Sequence, residues 1–244
     1  MVRDSREEWK TYNSVFDNFT NRGLFKLASQ GYFDEMRSII APGKEAVVFT
    51  ADAKDNATVA VKIYRLETAN FNKMYGYIRV DPRYPTLKNR QRQVVFSWTE
   101  REYRNLLLAR EARVRAPMPI AQKDNILVME FIGEGNDSSP LLKHATPQNP
   151  ERFAEDCFAM LERWTAAGMV HGDLSEYNII NHHEEPVFID FSHSVSLKAP
   201  NSIELLERDI LNVCNYFRKL GVQREDKEML SMLLKIASDA QKKG

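Results

Sequence analysis

His171-Gly172-Asp173-Leu174-Ser175-Glu176-Tyr177-Asn178 places an aspartate two residues after a histidine and an asparagine five residues after that aspartate. Twelve residues beyond Asn178, closing the apolar run Val187-Phe188-Ile189, stands Asp190, followed by Phe191-Ser192. Asn178 to Asn181 and Pro186 to Asp190 read as two short strands, joined by the polar turn His182-His183-Glu184-Glu185. Asp173 or Asn178 alone would be read as a turn cap, a common use of Asx side chains. Two carboxylates and an amide oxygen within twenty residues, in a loop and strand context, form a joint pattern that single caps do not explain.

Working outward, the C-terminal side is helical, with helices expected near Glu151 to Ala167, Ser202 to Leu220 and Glu225 to Lys242. Upstream, Ser38 to Ala41, Ala46 to Ala51 and Thr58 to Arg65 are β-branched stretches separated by Pro42-Gly43 and Lys54-Asp55-Asn56, an antiparallel meander. From Glu67 to Arg92 a long loop with short helical pieces is expected, broken at Asp81-Pro82 and Tyr84-Pro85. Val94 to Ala112 lacks Gly and Pro and reads as a helix, and Met118 to Gln122 with Ile126 to Ile132 as a second hairpin. Three parts follow: a helical prefix over 1–36, with Trp9, Tyr12, Val15, Phe16 and Phe19 at helical spacing, a β-rich lobe over 37–132 and a helical lobe over 133–244.

The chain has 244 residues, 43% hydrophobic and 28% charged, enough for a real core and unlike a disordered chain. Lys plus Arg and Asp plus Glu both total 34, so any binding to nucleic acid must be local. Two cysteines, Cys157 and Cys214, are too few for a disulfide framework. No apolar run approaches the roughly 18 residues of a membrane span. The N-terminus opens on charge, and the expected location is the cytoplasm, with no membrane partner.

The motif resembles the catalytic loop and metal-binding motif of protein kinases, His-Arg-Asp with a following Asn and then Asp-Phe-Gly. Transfer of a γ-phosphoryl group needs a carboxylate that orients the attacking hydroxyl and oxygen ligands that hold Mg²⁺ against the triphosphate. Asp173 suits the first task, Asn178 and Asp190 the second. Val59-Ala60-Val61-Lys62 resembles the strand whose lysine touches the phosphates. Its partner is a glutamate of the next helix, Glu102 or Glu100. Glu102 is preferred, lying four residues from both Trp98 and Leu106 on the inward face. In place of a glycine run, the phosphate-covering turn is Ala41-Pro42-Gly43-Lys44-Glu45-Ala46, which makes Lys44 a candidate phosphate contact.

Gly43-Lys44-Glu45-Ala46, Lys62-Ile63-Tyr64-Arg65, Trp98 to Leu106, Met129-Glu130-Phe131-Ile132-Gly133-Glu134 and His171 to Asn178 together resemble the RIO family of atypical protein kinases, over about residues 24–222. The likeness is nearest to the first RIO subfamily, in a short archaeal-type form. It implies an α+β, bilobal protein-kinase-like fold with a truncated C-lobe lacking an activation segment. It further implies an ATP-dependent serine/threonine kinase or ATPase acting in small ribosomal subunit maturation. Asp173 would be the catalytic base, Asn178 and Asp190 the Mg²⁺ (or Mn²⁺) ligands, and Lys62 with Glu102 the ion pair. The expected ATP-binding set is Gly43, Lys44, Glu45, Val48, Ala60, Lys62, Met129, Glu130, Ile132, Ser175 and Ile180. In this family the second aspartate also accepts phosphate, a nucleophilic role that falls here on Asp190.

Gly172 stands where most kinases have Arg, and Asp190 and Ser202 lie too close for a long activation segment, which puts a peptide groove in doubt. Between Lys62 and Arg92 lie eight basic residues (Lys62, Arg65, Lys73, Arg79, Arg83, Lys88, Arg90, Arg92) against Glu67 and Asp81, interleaved with Tyr75, Tyr77 and Tyr84. That composition suits the RNA of a pre-ribosomal small subunit, or a solvated loop that gates the nucleotide. His171 reads as a brace of the catalytic loop, and His182 and His183 as surface residues. Two other readings share the motif: a small-molecule phosphotransferase of the aminoglycoside or choline kinase type, and a non-catalytic ATP-binding assembly factor.

Overall fold

The computed structural model describes residues 17–67, 71–81, 83–84, 88–223 and 226–243. Trp9, Tyr12, Val15 and Phe16 of the expected prefix lie outside them. The described elements are α1 (Asn18–Ser29), β1 (Glu35–Pro42), β2 (Ala46–Asp52), β3 (Thr58–Tyr64), α2 (Phe71–Arg79), α3 (Gln91–Glu111), β4 (Pro119–Lys123), β5 (Ile126–Glu130), β6 (Gly133–Glu134), β7 (Asp137–Ser138), α4 (Pro150–Ala166), β8 (Met169–Val170), β9 (Ile179–His182), β10 (Glu185–Phe188), β11 (Val195–Ser196), α5 (Ser202–Lys219) and α6 (Asp226–Lys243). They fall into two compact units. The first is residues 1–75, 87–103 and 118–138, the second 76–86, 104–117 and 139–244. Neither unit is continuous in sequence, because α3 belongs to the first through Tyr103 and to the second from Arg104.

The first unit is an antiparallel sheet ordered β1-β2-β3-β5-β4. Side chains alternate across each strand, so cross-strand partners share a face. Val47, Phe49, Val61, Ile63, Ile126 and Val128 turn to one face and form a core with Leu24 and Leu27 of α1. Helix α1 starts where Asp17 accepts the amide of Thr20 at 2.8 Å. Its buried positions Thr20, Gly23, Leu24 and Leu27 recur at helical spacing. Gly23 lets the helix lie close to the sheet: a Cβ there would stand 2.8 Å from Cδ1 of Ile126, whose side-chain end would have to shift to admit it. Asn125, buried in the β4–β5 turn, donates to Thr20 Oγ1 and to the Tyr64 carbonyl. Helix α1 therefore contributes to the core of this unit.

In the second unit, α4 starts where Asn149 accepts the amide of Arg152, with Pro150 at the first helical position. It packs against α5 and α6, and Phe153, Phe158, Trp164, Leu206, Phe217 and Leu233 are buried. Among the described residues, no helix is long and apolar enough to cross a membrane. Cys157 and Cys214 are both buried thiols. After Asp190 the chain makes only a 3-10 turn (Phe191–His193) and the short β11 before α5 begins. The loop with short helical pieces expected between Glu67 and Arg92 carries the nine-residue α2. Several expected ends shift by one to three residues, as at β1, which begins at Glu35, because hydrogen-bond pairing sets strand ends and side-chain pattern only approximates them.

Candidate active site

In the first unit, strand register gathers the expected nucleotide residues. Val48 pairs with Lys62 and Lys62 with Leu127, while Ala60 pairs with Met129. Val48, Ala60, Lys62 and Met129 thus share the sheet face opposite the α1 core. Lys62 is 7% exposed and its Nζ lies 2.7 Å from Oε1 of Glu102, itself 1% exposed. Tyr64, also buried, donates its hydroxyl to the other oxygen, Oε2. Both carboxylate oxygens are hydrogen-bonded, which is how a buried charge is tolerated. Glu100, the alternative, is only half-buried on another face of α3.

The β1–β2 turn is tight: the Gly43 amide donates to the Ala46 carbonyl at 2.9 Å, and a Cβ on Gly43 would meet that oxygen at 2.6 Å. Lys44 is exposed and Glu45 half-buried. Arg65 closes the turn from β3, its amide donating to the Glu45 carbonyl and its Nε to the Gly43 carbonyl. At the end of β5, the Glu130 amide donates to the Met118 carbonyl, and Ile132 is buried.

In the second unit, the loop 171–178 presents Asp173 to solvent. Asn178 Nδ2 donates to the Asp173 carbonyl at 2.7 Å and to its Oδ2 at 3.2 Å. With both amide protons directed there, the side chain turns an oxygen to any other neighbour. Ser175 supports the turn, its carbonyl accepting the Asn178 amide at 2.9 Å and its Oγ the Tyr177 amide at 3.4 Å. Ile180 is buried in β9 opposite Val187 of β10. Asp190 has φ 61° and ψ 62°, a left-handed conformation that costs a non-glycine residue about 1–2 kcal/mol and that such sites retain under constraint. An amide oxygen and a carboxylate are hard donors of the kind Mg²⁺ takes alongside substrate phosphates, so Asn178 and Asp190 fit that ion.

Residues passed over in the sequence hold this loop. Asp209 of α5, fully buried, accepts the Gly172 amide through Oδ2 at 2.7 Å and the Leu174 amide through Oδ1 at 2.8 Å. Burial pushes its carboxyl up to about 7, against the pull of those two amides and of Arg208. Arg208 donates to the Gly172 carbonyl. The visible signal was a charge at a buried-stripe position, four residues after Leu205 and four before Val213. Asn105 of α3, also fully buried, donates to the carbonyls of Phe191 and Ser194 and accepts from Arg83.

His171 is the expected brace: its Nε2–H donates to the Ile189 carbonyl at 3.1 Å, beside Phe188 and Phe191. Burial lowers its pKa to about 4, so it is neutral at pH 7. Gly172 has φ +81°, and a Cβ there would stand 2.7 Å from the His193 carbonyl oxygen. Glycine replaces the kinase arginine because nothing larger fits. His183 is exposed, as expected, while His182 is half-buried with Nδ1 2.7 Å from Ser139 Oγ. Among the eight basic residues, Lys62 is withdrawn into its ion pair and Arg83 folds onto Asp81. Arg92 stays exposed, lying over the Phe19 ring, and Lys88 and Arg90 are exposed.

Comparison with known proteins follows the same lines. A family model described as the RIO domain matches residues 47–230. The chain is 41% identical over 219 residues to the RIO-type serine/threonine-protein kinase Rio1 of Haloferax volcanii, covering 90% of this chain and 76% of that protein. It is 41% identical over 224 residues to Rio1 of Methanocaldococcus jannaschii, covering 91% and 77%. Among solved structures, the Rio2 kinase-ADP/Mg²⁺-phosphoaspartate complex of Chaetomium thermophilum shares the fold, with a TM-score of 0.65 at 21% identity, covering 90% of this chain and 74% of that one.

Proposed function

Because the chain belongs to the RIO domain family and is by that kinship a RIO-type serine/threonine-protein kinase, we propose that it transfers the γ-phosphoryl group of ATP to a serine hydroxyl, or transiently to its own Asp190, during maturation of the small ribosomal subunit. The observation that carries this reading is the catalytic loop: Asp173 exposed, Asn178 oriented on it, and Asp190 held in a left-handed turn.

Asp173 accepts the proton of the attacking hydroxyl, so that oxygen reaches phosphorus as a better nucleophile. Lys62, held by Glu102, places its charge on the phosphates, and Gly43, Lys44 and Glu45 cover them. Val48, Ala60 and Met129 flank the adenine. The Glu130 amide is committed to Met118, so its carbonyl and the Ile132 amide are the groups offered to the base edge. Ser175 and Ile180 complete the nucleotide contacts from the catalytic loop and β9. Asn178 and Asp190 would hold Mg²⁺, which supplies charge neutralisation at the phosphates. The Rio2 complex named above contains a phosphoaspartate, and Asp190 is the carboxylate assigned that role here. The ribosomal role rests on the family resemblance and on the exposed Lys88, Arg90 and Arg92.

The test incubates the protein with γ-labelled ATP and Mg²⁺ and follows free phosphate and protein-bound label in wild type, Asp173→Asn and Asp190→Asn. Hydroxylamine-labile label that Asp190→Asn abolishes is the expected result for transfer to Asp190. Acid-stable label lost in Asp173→Asn is the expected result for transfer to a hydroxyl. Neither label nor phosphate release from the wild type would overturn the reading. RNA binding that weakens steeply with salt is expected of the basic surface, and salt-independent binding would count against it.

A further inference from the structure

Ser192 occupies the place where the kinase motif has glycine. A glycine would complete the turn equally well, so the hydroxyl is an addition, and it is buried, at 2% exposure. Its Oγ donates to Oδ1 of Asp190 at 2.6 Å. A hydroxyl has one proton, and an ionised carboxylate only accepts. The second neighbour of Oγ, His193 Nδ1 at 3.3 Å, must then be the donor of that contact. The His193 ring is flanked edge-on by Tyr77, with centroids 5.2 Å apart. Asn105 pins the same turn through the carbonyls of Phe191 and Ser194. The Ser192 proton is therefore aimed at one oxygen of Asp190 by a braced turn.

We propose that Ser192 is a positioning residue for Asp190: its hydroxyl marks Oδ1 as the carbonyl oxygen of the acyl phosphate and speeds the breakdown of that intermediate. This rests on the reading of Asp190 as phosphoryl acceptor given above. In formation, Oδ2 attacks the γ-phosphorus, the bond from phosphorus to the bridging oxygen breaks, and ADP leaves with the electron pair. In breakdown, water attacks phosphorus, the bond from phosphorus to Oδ2 breaks with its electron pair returning to the carboxylate, and inorganic phosphate leaves while the water's proton passes to solvent. The Ser192 proton is never transferred. Its hydrogen bond is stronger to a carboxylate than to the carbonyl of an acyl phosphate. It therefore restrains the carboxylate as nucleophile and favours it as leaving group.

The experiment forms the labelled phosphoenzyme with γ-labelled ATP and Mg²⁺, chases with unlabelled ATP, and counts hydroxylamine-labile label over time. In Ser192→Ala, breakdown slows about tenfold, equivalent to about 1.4 kcal/mol, while formation is undiminished and the steady-state label rises. Ser192→Thr, which keeps the hydroxyl, restores the wild-type decay, and Ser192→Gly, which keeps the turn, repeats the alanine result if Ser192→Ala does not fold. A merely structural role would slow formation and breakdown together without rescue by threonine, and that outcome overturns the proposal. So does an unchanged decay in a wild type and Ser192→Ala that both label. A wild type that forms no hydroxylamine-labile label overturns the Asp190 reading itself, and this inference with it.

Discussion

Lys62 Nζ and Glu102 Oε1 meet at 2.7 Å across 40 residues of sequence, in a site where both side chains are withdrawn from water. Removing one partner leaves the other charge buried and unpaired, at a cost of about 3–5 kcal/mol. Lys62→Ala is expected to lose stability on that scale in urea unfolding, and kcat/KM is expected to fall by about a hundredfold or more. Tyr64→Phe removes only the hydroxyl on Oε2 and should cost about 1.5–3 kcal/mol. Equal losses in the two variants would show that the ion pair is not the dominant interaction of Glu102.

Gly172→Ala meets two obstacles, the left-handed backbone and a Cβ position 2.7 Å from the His193 carbonyl oxygen. The expected loss is about 2–4 kcal/mol, with activity falling as the catalytic loop shifts. Gly168, with φ +79° and nothing within 4 Å of its Cβ position, is the control. Gly168→Ala should lose only about 1–2 kcal/mol. A melting comparison of the two variants separates the backbone cost from the collision.

His171 and Asp209 bias stability with pH in opposite directions. His171 titrates at about 4 in the fold against an ordinary 6.5, so the unfolded chain binds the extra proton between those values. Its contribution is present above pH 6.5 and is lost toward pH 4, up to roughly 3 kcal/mol. Asp209 rises to about 7 from 3.8, so the folded state holds the extra proton and stability is lost as pH climbs from 4 to 7, up to roughly 4 kcal/mol. Urea unfolding across pH 4–7 should therefore show wild type gaining on His171→Gln as pH rises, and losing to Asp209→Asn over the same range. Parallel curves for wild type and either variant would contradict the corresponding assignment.

Asp209→Asn also tests the clamp on the loop. An amide keeps one acceptor oxygen and turns an NH₂ group toward the second backbone amide, so either the Gly172 or the Leu174 bond is lost. Turnover should fall about ten- to a hundredfold with KM for ATP nearly unchanged, since Asp209 acts through the loop and touches no substrate. A rise in KM with kcat intact would place its effect on nucleotide binding instead.

Asn178→Ala removes the amide oxygen proposed as a Mg²⁺ ligand together with the two bonds that orient it on Asp173. The Mg²⁺ concentration for half-maximal activity should rise about tenfold. A magnesium titration with an unchanged midpoint would exclude Asn178 from the ligand set.

The placement of the motif residues was legible along the chain because it depends on local spacing. Asp173, Asn178 and Asp190 sit in one loop and one hairpin, and Lys62 lies on a strand whose alternation also places Val48, Ala60 and Met129. The choice of Glu102 over Glu100 could be argued from helical facing, since four-residue spacing from Trp98 and Leu106 is a property of the helix itself. Tertiary structure alone decided what supports these groups. Asp209, Asn105 and Ser192 act through hydrogen bonds whose partners are set by packing; the sequence marks Asp209 only as a charge on a buried stripe and Ser192 only as a replaced glycine, and names no partner for any of the three. Likewise Gly172 reads as a missing arginine until a carbonyl oxygen of another segment is found 2.7 Å from where its Cβ would be. Periodicity and spacing encode the face a side chain takes, whereas contacts between distant segments exist only once the chain has closed on itself.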